Sequence, residues 1–141
     1  MANTEKKGEG ATSGDHSVDA SLARHGGLSY LEIPAVDVRR SATFYEKICG
    51  WKVERRDAND FRFGDATGHL IGRWTTSRGT FPKPGLLPYI YVNRIREVVE
   101  KVPEYGGEVI KAPYAEGNLL VATVRDPAGN VIGLWEATSE L

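Results

Sequence analysis

Ten residues running from Asp65 to Trp74 (DATGHLIGRW) return as Asp126 to Trp135 (DPAGNVIGLW), with Asp, Gly, Ile, Gly and Trp in the same places. Each copy reads as an Asp-x-x-Gly turn feeding a strand. A repeat at this spacing means that the chain holds two supersecondary units of about 60 residues each, which could build one domain around a shared cleft. Any cleft between two such units is the natural place for a function.

The rest of the chain can be parsed around those two copies. Residues 28–34 (LSYLEIP) alternate as a strand, with Tyr30 and Glu32 on one face and Leu31 and Ile33 on the other. Asp37 is placed to cap a helix over residues 38–49, in which Val38, Ala42, Tyr45 and Cys49 recur at helical spacing, Phe44 and Ile48 widen the stripe, and Gly50 stands at the stop. Three short strands follow over 51–55, 59–64 and 69–74. The second half repeats the order. A strand over 88–92 leads to Asn93 as cap and a helix stripe of Ile95, Val98, Val99, Val102 and Tyr105, with Pro103 expected to tighten or kink that helix, and strands over 108–111, 119–125 and 130–136 come after it. Strand, helix and three strands, twice, define an α+β domain over 28–141, with a first module at about 28–77 and a second at about 86–137. Residues 1–27, rich in Gly, Ser, Thr and Lys, read as a flexible tail, within which 17–25 could form one or two helical turns with Val18 and Leu22 on one side.

Composition narrows the partners. A formal charge of −1 provides no basic field for nucleic acid or anionic lipid, and no apolar run reaches the length of a membrane span. The single Cys49 cannot form an intrachain disulfide, and no hydrophobic leader follows the N-terminal lysines, so a cytoplasmic protein binding a small molecule is expected.

Three stretches carry a resemblance to a known family: IPAVDVRRSATFYEKICGW beginning at Ile33, EYGGEVI beginning at Glu104, and RDPAGNVIGLWE beginning at Arg125. Together they make the chain similar to the vicinal oxygen chelate superfamily of glyoxalase I, bleomycin resistance proteins and extradiol dioxygenases. The resemblance implies paired βαβββ modules forming a cupped, incomplete barrel, commonly in a homodimer with two clefts. It also implies metal ligands, usually His, Gln or Glu, on the first and last strands of each module. The matching positions here are Tyr30, Gly72, Leu87 and Gly133, so no metal and no other cofactor is expected.

If those positions define the inward face, the cleft is lined by Tyr30, Glu32, Leu70, Gly72, Trp74, Leu87, Tyr89, Tyr91, Val131, Gly133 and Trp135. This aromatic wall over a glycine floor suits a small, partly aromatic or apolar ligand held without metal, for sequestration or resistance. The alternative is an enzyme of lyase, isomerase or dioxygenase type using Glu32 and Tyr30 as acid and base. Plainer readings stand beside both: Trp74 and Trp135 as core aromatics, the tyrosines as a dimer seam, Glu32 as a solvated edge residue, Cys49 as a buried small hydrophobe.

Overall fold

A computed structural model describes residues 20–25, 27–80 and 85–138. The expected tail lies outside them as far as residue 19 and at residue 26, which includes Val18. From Ala20 onward the chain forms a turn in which the Ala23 N–H donates to the Ala20 carbonyl, and the Ser21 hydroxyl reaches the Gly68 carbonyl.

In the first unit, β1 (Tyr30–Pro34) is followed by α1 (Val38–Cys49), β2 (Lys52–Asp57), β3 (Asp60–Gly64) and β4 (Ile71–Thr75). The second comprises β5 (Tyr89–Tyr91), α2 (Ile95–Lys101), a 3-10 turn (Pro103–Tyr105), β6 (Glu108–Glu116), β7 (Leu119–Arg125) and β8 (Val131–Ala137). Each unit builds a four-stranded sheet, ordered β1-β4-β3-β2 and β5-β8-β7-β6, with a parallel pair at one side and an antiparallel meander at the other. The two sheets stay open and share no strand pairing among the described residues.

Local chemistry sets α1 as the sequence predicts. The Asp37 carboxylate accepts from the Arg39 and Arg40 N–H groups, and Gly50 ends the helix at φ 72, a left-handed conformation that costs glycine little. Helix α2 departs from expectation. Its cap is Arg94, not Asn93, and Arg94 lies at φ 58 with no capping side chain of its own. The first helical donors are satisfied from another element, because the Glu136 carboxylate on β8 accepts from the Arg94 and Ile95 N–H groups at 2.8 and 2.9 Å. At Pro103 the helix tightens, as expected: α2 stops at Lys101 and the turn that begins at Pro103 takes 3-10 geometry.

One hydrophobic core joins both units. Tyr45 of α1 stacks on Trp51, Trp51 stacks on Phe63, and Trp74 fills the space between Tyr45 and Phe63, with centroid separations of 4.6 to 5.9 Å. Ile95, Val99, Val102, Ala122, Val124, Ile132 and Leu134 supply the second half. Burial of each large side chain contributes roughly 1.5–3 kcal/mol. A polar latch crosses the seam: buried Asp126 accepts 2.8 Å hydrogen bonds from the Tyr45 hydroxyl and the Asn130 side-chain amide, and that amide also donates to the Pro34 carbonyl at 2.7 Å. Burial holds the Asp126 carboxyl above the usual carboxylate range despite these donors. Cys49 packs against the core, and burial pushes its thiol up to about 12, which removes it as a nucleophile at neutral pH.

Candidate functional site

Each helix covers one face of its sheet and leaves the other open. On the open face of the first sheet, strand register assembles two rows of side chains. Tyr30, Ile71, Gly64 and Lys52 stand side by side across β1, β4, β3 and β2, and Glu32, Arg73, Arg62 and Glu54 form the next row. Between them lies a depression of about 300 Å³, bordered by Tyr30, Lys52, Glu54, Arg56, Arg62 and Ile71 and floored by Gly64 and Gly72. A side chain added at Gly64 would meet nothing within 4 Å, so the hollow is open directly above that α-carbon.

The charged row is held by ion pairs. Glu32 accepts from Arg73 at 3.0 Å and from Arg78 at 2.6 Å, while Arg62 is held by Asp60 at 3.0 Å and Arg56 by Glu54 at 3.0 Å. Hydrogen bonds from Arg78 and then Arg73 keep the Glu32 carboxyl below the usual range. With both oxygens engaged and its basicity lowered, Glu32 is not set up to accept a proton near neutral pH, contrary to what a general base at this position requires.

Several expected cleft residues stand elsewhere. Trp74 is 2% exposed on the helix side of its sheet. Gly72 has the same parity, and a β-carbon there would run into the Leu31 carbonyl oxygen, so Gly72 reaches the hollow only through its backbone. Leu70 precedes β4, its carbonyl accepting from the Asp65 N–H in the turn, and Leu87 precedes β5, so neither belongs to a strand face. The cause is turn length. In the first repeat copy the Asp65 N–H reaches forward to Leu70, whereas in the second the Asp126 N–H reaches only to Asn130. One extra residue inverts every side chain in the strand that follows, so the sequence match pairs Trp74 with Trp135 although the residue buried at the corresponding inward position of β8 is Leu134.

The second sheet keeps the expected parity. Tyr89, Tyr91, Gly133 and Trp135 lie on its open face, where Tyr91 meets Trp135 edge to face at 4.7 Å and the Tyr89 ring covers Gly133. Val131 and Val121, which pair with Arg125 and Trp135 respectively, are buried on this same face, outside the main core. Tyr114, opposite Val121, joins them with the Lys111 ammonium 4.0 Å from its ring centre. Sequence reasoning missed Lys52, Arg62, Gly64, Ile71 and Arg73 on the first sheet and Tyr114 on the second. Period-two alternation in residues 60–64 (DFRFG), with Phe61 and Phe63 inward, was the signal that could have placed Arg62 and Gly64 outward.

Comparison with known proteins assigns the family. A family model described as Glyoxalase/Bleomycin resistance protein/Dioxygenase superfamily matches residues 27–134. The chain belongs to this superfamily. A glyoxylase-like domain-containing protein of Didymella fabae is 31% identical over 99 residues, which cover 62% of this chain and 73% of that protein. Among solved structures, a glyoxalase/bleomycin resistance protein/dioxygenase family enzyme from Burkholderia phytofirmans PsJN superposes with a TM-score of 0.63 at 20% identity, covering 79% of this chain and 99% of that one. TnmS3, an antibiotic binding protein from Streptomyces sp. CB03234, superposes with a TM-score of 0.60 at 19% identity, covering 79% and 96%. These structures share the fold of the present chain.

The donor set does not fit the divalent metal that the superfamily commonly chelates. Of the four matching positions only Tyr30 carries a donor atom on its side chain, and the nearest carboxylate, Glu32, is bound by two guanidinium groups. Among the described residues no three His, Cys, Asp or Glu side chains converge. No helix among them is long and apolar enough to cross a membrane.

Proposed function

We propose that the protein binds a small, partly aromatic molecule on the open face of its first sheet, without a metal, in a sequestering or resistance-type role. The observation that carries this reading is the hollow above Gly64, flanked by the half-exposed Tyr30 ring and Ile71 and bounded by ion-paired side chains. Apolar contact surface with a few fixed polar groups is the usual construction of a small-molecule site. The likeness in fold to an antibiotic binding protein agrees with it. Catalysis through Glu32 is the weaker reading, since its carboxylate is already neutralised by Arg73 and Arg78.

The protein acts as a homodimer in this account. Tyr30, Tyr89 and Tyr91 expose apolar surface, and β1 and β5 are edge strands whose sheets do not join within the chain. A second subunit would cover these surfaces. Light scattering should give twice the 15.5 kDa chain mass, and the mass of one chain would contradict the dimer.

Native mass spectrometry of protein purified without chelator, with elemental analysis of the same sample, tests the binding role. A co-purifying organic molecule that is recovered unchanged, with metal well below one equivalent, is expected. Stoichiometric zinc, nickel, iron or manganese, or turnover of the bound compound, would overturn this reading.

A further inference from the structure

Resting on the site proposed above, we infer that its ligand is an anion: a flat apolar body lies over Gly64 between Tyr30 and Ile71, and a carboxylate or similar group is taken by Lys52 and Arg62. The chain as a whole carries a net charge of −1, yet the hollow is bordered by three cations, Lys52, Arg56 and Arg62, and one carboxylate, Glu54. The positive sign is therefore local to the hollow.

The pairing pattern says which cations are available. Arg56 is spent on Glu54, the one carboxylate among the described residues at the rim. Arg62 is gripped along one edge by Asp60, through Nε and Nη2, which fixes the plane of the guanidinium and leaves further N–H donors unused. Lys52 has no ion-pair partner among the described residues and stands beside Gly64 in the register of β2 and β3. Lys52 and Arg62 are diagonal neighbours across that strand pair, close enough for both to reach one anionic group. Arg62 is also directly opposite Arg73. Two like charges facing each other across adjacent strands are unfavourable unless compensated, and an anion seated between the rows adds to the compensation that Asp60 and Glu32 supply. Gly64 completes the arrangement, since any larger residue in that row would occupy the space where the ligand's body lies.

Three probes of one shape and different charge test this: naphthoate, naphthamide and naphthylmethylammonium, titrated calorimetrically into the full chain at low salt. Naphthoate should bind about tenfold or more tightly than naphthamide, the scale of one charge-assisted contact, and the cationic probe should bind most weakly. Added salt should weaken naphthoate and leave naphthamide nearly unchanged. A Lys52→Gln, Arg62→Gln double variant should bring naphthoate down to the naphthamide affinity, whereas Gly64→Leu should abolish binding of both, with thermal melts confirming that each variant folds. Equal binding of naphthoate and naphthamide, absence of naphthoate binding, or a preference that survives the double variant would overturn the anion assignment. If naphthamide binding is still lost in Gly64→Leu, the site itself stands. Probe binding indifferent to Gly64→Leu would overturn both.

Discussion

Trp74 and Trp135 occupy the same place in the sequence repeat and opposite faces of their sheets. Trp74 packs at 4.9 Å from Phe63 and 5.9 Å from Tyr45 under α1, while Trp135 meets Tyr91 on the open side. Replacing them should therefore have unlike consequences. Trp74→Ala should cost about 3–5 kcal/mol of stability, the range for a large aromatic removed from a core, with ligand affinity unchanged in the molecules that remain folded. Trp135→Ala should cost less, on the order of the 0.5–1.5 kcal/mol of one aromatic pair plus some lost apolar contact. Urea unfolding of the two variants checks this, and equal destabilisation would argue against the opposite-face assignment.

The latch between the units offers a second test. Tyr45→Phe removes the hydroxyl that donates to Asp126 and leaves a buried carboxylate oxygen with one donor fewer. A loss of about 1–3 kcal/mol is expected, with the aromatic packing intact. Denaturant titration measures it, and a neutral result would show that the Tyr45–Asp126 bond does not tie the units together.

Glu136 should give α2 a pH-dependent anchor. Hydrogen bonds from the Ile95 and then the Arg94 N–H hold its carboxyl below the ordinary value of 4.5. A lowered folded-state pKa means that the unfolded chain takes up the proton first as pH falls. The stabilisation is thus complete above 4.5 and is lost as pH falls through the depressed folded value. Relative to Glu136→Gln, the native protein should be more stable by about 0.5–2 kcal/mol at neutral pH, the scale of a helix cap, with the gap closing in acid. Melting curves of both proteins across that range decide the matter, and a gap that is constant with pH would contradict it.

What could be read from the chain was local. The α1 boundaries follow from Asp37, the apolar stripe and Gly50, all within one segment, and the break at Pro103 follows from its missing N–H. The order of elements also followed from the repeat and from hydrophobic periodicity. Facing was harder to read, because it depends on parity, and a single residue between Gly68 and β4 inverts it. Here the strong match of Gly72 with Gly133 and Trp74 with Trp135 misled, since sequence similarity aligned positions that the two turns set out of phase. The cap of α2 by Glu136 and the capture of Glu32 by Arg73 and Arg78 each join residues about forty positions apart, beyond the reach of any short-range pattern. The hollow itself depends on register across four strands, which no single segment encodes.

Ligand binding on the open face of the first sheet can be observed residue by residue. It is tested most directly by amide chemical-shift mapping during titration with naphthamide, whose neutrality keeps the result independent of ligand charge. The largest shifts should fall on Tyr30, Gly64, Ile71 and Gly72, neighbours in space from three different strands. Shifts confined to α1 and the helix-facing residues, with those four unmoved, would contradict it.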